Sequence, residues 1–408
     1  MYQYYTLSNG IRIILNTNHS AVTHAGVFVN VGSRDEEGQL EGIAHFIEHS
    51  IFKGTEHRRS YHIRNRIDGV GGELDAFTTK EETCIYASVL SEHLERSLEL
   101  FSDILFHSTF PDHELEKEKD VVLEEINLYN DSPADLIYDD FEELIFGTHP
   151  LAHNILGSKK NVKRFNSETL HQFMSSRYST DRMVVSVVGN VEMKRLVRLC
   201  EKYFGDQPCN TSSVNRKPVE SYCCFNRTVN RHTHQVHALL GCPAPHIFDS
   251  RKTAFSLLNN LVGGPAMNSR LNVAVREKYG FCYTIESQYV PFSDAGLFYI
   301  YAGVDGDAQE HATQLIFDEM RKLREVKLTD QQLRAVQRQF VGQMAITNES
   351  GLNEMQSIGK AFLNYDHVDS LEEMNRDIYS VTAQEIQDLA NELLVEDQFS
   401  LLFFKGNL

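Results

Sequence analysis

The stretch FNSETLHQFMSSRYSTDRMVVSVVGNVE (165–192) has a counterpart in outline at VTAQEIQDLANELLVEDQFSLLFFKGNL (381–408). Each opens on a helix-start signal, runs through an amphipathic helix and a short polar break, and closes on an apolar strand followed by Gly-Asn. Thr382 and Glu385 form a capping-box pair, each side chain placed to satisfy an N–H that the first helical turn leaves unpaired. Gly189 and Gly406 stand 217 positions apart in a chain of 408 residues. The match therefore divides the chain into near-equal halves, and a chain this long exceeds what one ordinary core serves. Two related domains are expected, 1–212 and 213–408, divided near the turn-rich GDQPCNTSSVNRKP (205–218).

The coarse pattern of the halves agrees. Strands open each one: IRIILNT (11–17) and HAGVFVNVG (24–32) in the first, HQVHALLGC (234–242) in the second. Helices follow, then strands again at TCIYASVL (83–90) and GLFYIYAGV (296–304), then further helices. Strands and helices in mixed order with hairpin-length turns predict an α+β fold: two tandem related domains, each a largely antiparallel sheet packed with helices.

Charge and cysteine usage narrow the function classes. The formal net charge is −18, and the densest basic patch, EHRRSYHIRNR (56–66), reads as a solvated helix face. A nucleic-acid partner is not expected. The acidic balance fits basic peptide partners as well as it fits simple solubility. Seven cysteines at irregular spacing, with no CxxC, argue against a disulfide framework or a thiolate metal site and for a reducing compartment. No apolar run approaches the roughly 18 residues that span a bilayer, so no membrane partner is expected. The N-terminal stretch lacks a leader pattern, and a cytoplasmic location is the expectation.

The chemistry concentrates in GIAHFIEHSIFKGT (42–55). On one helix, His45, Glu48 and His49 fall within an arc of roughly 100°. Two imidazoles can then face one metal ion while Glu48 comes up beside them without being a ligand. Two imidazoles plus a carboxylate suit zinc and leave a fourth position open for water. The missing carboxylate is sought in HELEKEKDVVLEEINLYND (113–131), which carries Glu116, Glu118, Glu124 and Glu125. Glu118 and Glu125 are seven apart and share a helix face, with Val121, Val122 and Ile126 on the apolar side. Glu125 at the metal with Glu118 behind it is one reading; solvent-facing charges paired with lysines is the other.

HxxEH followed by a glutamate 76 positions after His49, within EKEKDVVLEEI, resembles the inverted-zinc-motif peptidases, the group of pitrilysin, insulin-degrading enzyme and mitochondrial processing peptidase. Further stretches resemble that family in the right order: GSRDEEGQLEGIAHFIEHSIFKGT (32–55), GGELDAFTTKEETCIYASVL (71–90), HPLAHNILGS (149–158) and NSRLNVAVREKYGFCYTIESQYVPFSDAGLFYIYAG (268–303). The resemblance spans nearly the whole chain. It implies one Zn2+ per chain held by His45, His49 and Glu125, with Glu48 as general base and Glu118 as a supporting carboxylate. Arg276 and Tyr283 match the pair that helps bind the scissile carbonyl; a salt bridge and a core tyrosine are the plainer reading of those two residues. Gly72, Glu73, Leu74, Asp75, Ala76, Phe77 and Thr78 match an edge strand to which the substrate adds as a further strand. Asp75 stands where the family usually has Asn, and a carboxylate only accepts hydrogen bonds.

The resemblance further implies a short, two-domain, bacterial-type member. Such a protein would be a zinc-dependent metalloendopeptidase acting as a homodimer around a closed chamber. Peptides or unfolded segments would enter, basic ones favoured if the acidic charge lines the chamber. The Arg276/Tyr283 pair of one subunit would serve the zinc of the other. The competing expectation is a non-catalytic scaffold or peptide-binding subunit of the same fold, or a subunit active only with an unlike partner. Intact His45, Glu48, His49 and Glu125 weigh against it.

Overall fold

The computed structural model describes residues 2–211 and 216–406. Its strands form two sheets. The first contains β1 (Gln3–Thr6), β2 (Arg12–Thr17), β3 (Val22–Val29), β4 (Glu73–Thr78), β5 (Thr83–Leu90) and β6 (Met183–Gly189), in the order β1-β2-β6-β3-β5-β4. The second contains β7 (Asn226–Asn230), β8 (Val236–Pro243), β9 (Cys282–Pro291), β10 (Gly296–Val304) and β11 (Ser400–Lys405), in the order β7-β11-β8-β10-β9. Each sheet has one parallel pair, β2 with β6 and β7 with β11. All other pairings are antiparallel. The two orders superimpose once β1 is set aside, with β6 and β11 in the same place. Those are the strands that close the two copies of the sequence repeat. The helices before them, Ser167–Arg177 and Ala383–Leu393, both begin with a capping box, Asn166 with Thr169 and Thr382 with Glu385. The expected division at 212/213 and the closing Asn407 lie outside the described residues.

The chain packs as two compact units, and each takes a segment from the other half of the sequence. One unit comprises residues 1–126, 153–216 and 346–370; the other comprises 127–152, 217–345 and 371–408. The reason is that both sheets are covered on both faces. In the first unit, Ile13, Val27, Ile85 and Val185 face a core built with α1 (Ile43–Ser50), α2 (Ser60–Asp68), α3 (Leu94–Phe106) and α4 (Asp112–Asn130). The alternate residues Ile14, Phe28, Val184 and Val188 face the other way. They meet Met355, Ile358 and Phe362 of the helix Gly351–Tyr365. Gly359 of that helix lies so close to Phe28 that an added Cβ would stand 2.2 Å from the ring. Burial on both faces explains why β6, MVVSVVG, is a nearly continuous apolar run rather than an alternating one.

The second unit repeats this with α5 (Pro133–Phe146). Ile137, Phe141 and Ile145 of α5 pack on Leu239, Leu297, Tyr299 and Leu402 of the second sheet. Gly241 makes room for Phe141; a Cβ there would meet the ring at 2.5 Å. Phe141 is fully buried. Phe141→Ala is expected to destabilise the protein by about 3–5 kcal/mol, because Gly241 cannot fill the hole. Denaturant unfolding checks this, and an unchanged midpoint would contradict the packing role.

Arg59, His62 and Arg64 of the basic patch are exposed, as a solvated helix face requires, while Arg58 and Arg66 are half-buried and paired. Arg58 pairs with Asp103 at 2.6 Å and with Glu99, and Arg66 Nε donates to Glu99 at 3.0 Å. All seven cysteines are unpaired. Among the described residues no helix is long and apolar enough to cross a membrane.

Candidate active site

The local sequence builds α1 from its first residue. Gly42, at the N-cap, has φ +94° and lies against the Leu156 carbonyl, 2.7 Å from where a Cβ would sit. Only glycine takes that backbone and that approach without strain. The buried carboxylate of Glu36 accepts from the Gly42 and Ala44 N–H groups, each at 2.8 Å, and so satisfies donors that the helix itself leaves open. Burial pushes the Glu36 pKa well up, while those two N–H groups and Lys80 oppose the rise. Ile43, Ala44, Phe46 and Ile47 are buried in the unit's core. That anchoring sets the direction of His45, Glu48 and His49.

The three expected ligands meet. His49 Nε2 stands 3.4 Å and His45 Nε2 3.7 Å from Glu125 Oε2 of α4. The two imidazole centroids are 4.6 Å apart. Zinc–ligand bonds of 2.0–2.1 Å in a tetrahedron place ligand atoms about 3.3 Å apart, close to these separations. Glu125 Oε2 is buried without a hydrogen-bond partner. A buried anionic oxygen without a partner is costly unless it meets a cation. The set therefore fits a divalent metal.

Glu118 lies behind His49. Its Oε1 lies 2.9 Å from His49 Nδ1, and its other oxygen pairs with Lys53. This contact holds the His49 ring with Nε2 turned toward Glu125. Burial disfavours the charged form of His49, but the carboxylates of Glu118 and Glu125 outweigh it and raise the pKa to about 9. Burial also opposes ionisation of Glu118, and there His49 and Lys53 prevail and hold its pKa low. His45 has no such outer partner; its Nδ1 is buried without a hydrogen bond. Burial, with His49 beside it, lowers its pKa to about 4 against the pull of Glu125. Glu118→Gln is expected to weaken zinc binding about 10–100-fold, the range for an outer-shell partner of a ligand histidine. Competition with a chromogenic chelator measures this, and an unaltered affinity would remove Glu118 from the site.

Glu48 sits beside His45, His49 and Glu125 and faces β4. Burial raises its pKa; Thr78 of β4 and His49 oppose the rise, and Asp75 and Glu125 add to it. Its Oε2 has no hydrogen-bond partner. β4 is the terminal strand of its sheet, paired with β5 on one side only. Asp75 is exposed, yet its Oδ2 accepts from the Tyr86 hydroxyl at 3.2 Å, so it is not held by solvent alone.

Arg276 and Tyr283 belong to the second unit. Arg276 lies in the helical turn Asn272–Glu277, and its nearest carboxylate is that of its neighbour Glu277, at 4.0 Å. Tyr283, the second residue of β9, is 83% exposed, which excludes the core-tyrosine reading. Two contributors escaped the sequence reading, Glu36 and Lys53. Both lie inside the quoted stretch 32–55, and their only signal was a charged residue flanking a helix that buries its other face.

Two imidazoles, a carboxylate from a second helix and a buried glutamate beside them, on an α+β fold built twice, define a metallopeptidase-like protein. Residues 12–159 match the family described as Insulinase (Peptidase family M16), and residues 164–340 match the Peptidase M16 inactive domain. The chain belongs to peptidase family M16. The "Uncharacterized zinc protease YmxG" of Bacillus subtilis is 34% identical over 410 residues, covering 100% of both chains. The "Uncharacterized zinc protease ML0855" of Mycobacterium leprae is 34% identical over 402 residues, covering 95% of this chain and 88% of the relative. A protease from Helicobacter pylori has the same fold at a TM-score of 0.90 and 22% identity, covering 99% of each chain. The peptidase M16 inactive domain protein from Pseudomonas fluorescens does so at 0.92 and 19%, covering 100% of this chain and 98% of that one.

Proposed function

We propose that this protein is a zinc-dependent metalloendopeptidase that cleaves peptides or unfolded segments. The observation that carries the reading is the convergence of His45 Nε2, His49 Nε2 and Glu125 Oε2 beside Glu48, whose Oε2 is without a hydrogen-bond partner. Zinc held there supplies a Lewis acid that polarises a carbonyl and lowers the pKa of a water from about 16 to about 7. Glu48 takes the proton of the attacking water and passes it to the leaving amine. A raised carboxyl pKa suits both halves of that transfer. The free edge of β4 pairs with the substrate backbone, which holds a peptide without demanding a sequence. Asp75, an acceptor only, favours a donor or a basic side chain next to it. Arg276 and Tyr283 donate to the oxyanion that grows during attack.

We place this activity in a cytoplasmic homodimer, consistent with seven unpaired cysteines, three of them exposed. One subunit's Arg276 and Tyr283 serve the zinc of the other, and a closed chamber excludes folded proteins. Digestion of a mixed peptide library by the purified chain, read by mass spectrometry and paired with light scattering, tests the reading. Internal cuts that stop with chelator, intact folded controls and a dimer mass are expected. A zinc-loaded protein that cuts nothing would favour the scaffold reading.

A further inference from the structure

The duplicated architecture places a second cleft in the second unit. In the first unit the metal-site residues come from α1, which follows β3, and from α4, the second α-helix after β5. The corresponding helices of the second unit are Lys252–Gly263, after β8, and Asp330–Asn348, the second α-helix after β10, which is 19 residues long like α4. A cavity of about 220 Å3 lies between them, bordered also by residues 268–270 and 328. No histidine or carboxylate lines it. Its polar lining is instead amide, hydroxyl and guanidinium groups.

Asn260 is 6% exposed, lines the cavity, and has no hydrogen-bond partner for its side-chain amide among the described residues. Ser269, 4% exposed, accepts from Asn272 Nδ2 at 2.8 Å, which leaves its own O–H unused. Arg270 has one counter-charge, Glu319 at 3.6 Å, and Glu319 is shared with Lys322. Burial pushes the Arg270 pKa down, against the pull of that carboxylate. Gln332 places its Oε1 on Thr329 and keeps its N–H groups free. Side-chain donors that no protein acceptor occupies are open to a ligand that supplies acceptors.

We propose that this cavity binds the α-carboxylate of a free amino acid or of a short peptide. One guanidinium matches one negative charge, and Asn260, Ser269 and Gln332 supply further donors to its oxygens. The walls formed by Leu328 and Val336 accommodate an organic body, which a bare phosphate lacks. At the rim, Asn268 and Gln339 exchange amide hydrogen bonds at 3.1 Å in both directions, a pairing that a peptide group can join. The volume is below the roughly 300–1,000 Å3 of drug-sized sites and suits one or two residues. The site is separate from the hydrolytic chemistry, since no step of peptide cleavage uses these residues.

Calorimetry on the full-length, zinc-loaded protein tests this with leucine, N-acetyl-leucine, N-acetyl-leucinamide and inorganic phosphate as probes. At least one of the two carboxylates is expected to bind, leucine if the natural source is a free amino acid and N-acetyl-leucine if it is a peptide end. The amide should bind at least about tenfold more weakly, and Arg270→Gln should cost the acid a similar factor. Ala335→Phe, at an exposed position on the cavity wall, should also block binding while the circular dichroism stays that of the wild type. His45→Ala should leave binding intact, which separates this cavity from the metal centre. The proposal is overturned if neither carboxylate binds, if acid and amide bind alike, if phosphate binds more tightly than both, or if binding survives Arg270→Gln and Ala335→Phe.

Discussion

Glu48→Gln is expected to bind zinc like the wild type and to cleave peptides at least about 100-fold more slowly, within the range attributed to a positioned acid–base group. The three converging ligand atoms belong to His45, His49 and Glu125, so the amide leaves the metal set intact. Glu48 Oε2 is buried without a hydrogen-bond partner, and its carboxyl pKa is raised chiefly by burial. Glutamine keeps the size and removes the ability to exchange a proton. The folded state should not suffer, because the substitution replaces a buried acid with a neutral group. Metal analysis and steady-state rates on the same preparation check this. Wild-type cleavage by the variant would assign the proton transfer to another group.

Glu125→Ala is expected to act in the opposite way, on the metal first and on the rate through it. Loss of a direct ligand should weaken zinc by more than the about 10–100-fold expected for an outer partner such as Glu118. In the metal-free protein the change also removes the carboxylate that, with Glu118, raises the His49 pKa, so part of its effect on stability is independent of zinc. A further difference should appear when zinc is added. A ligand at 100 times its Kd stabilises the folded state by about 2.7 kcal/mol, and the variant should forfeit that gain. Thermal unfolding with and without zinc measures it. An equal zinc-dependent shift in both proteins would exclude Glu125 as a ligand.

Much of this was legible in the chain because it rests on local periodicity. The i, i+3, i+4 spacing of His45, Glu48 and His49 needs only a helix, and the seven-residue step from Glu118 to Glu125 needs only another. The repeat ending at Gly189 and Gly406 reappears as β6 and β11, at equivalent places in two sheets of the same order. The exchange of helices was not legible. The patterns of 133–146 and 351–365 show that each has an apolar face, and an apolar face does not say which sheet it will cover. Phe141 and Gly241 lie 100 positions apart in sequence, and their fit exists only in three dimensions. Lys53 escaped for the same reason, acting through one contact with Glu118 on another helix, whereas Glu36 acts locally through the loop that returns it to the α1 N-terminus, which no periodicity marks. In the basic patch the exposed face was legible, but the pairing of Arg58 and Arg66 was not, because Glu99 and Asp103 come from a different helix.

The central claim is that this chain hydrolyses peptides at a zinc ion held by His45, His49 and Glu125. Titrating zinc into metal-free protein while following both bound metal and cleavage of a quenched fluorescent peptide tests it most directly. Cleavage should rise in proportion to bound zinc and level off at one ion per chain. Activity that is independent of zinc, or a chain that fills with one zinc and still cleaves nothing, would contradict it.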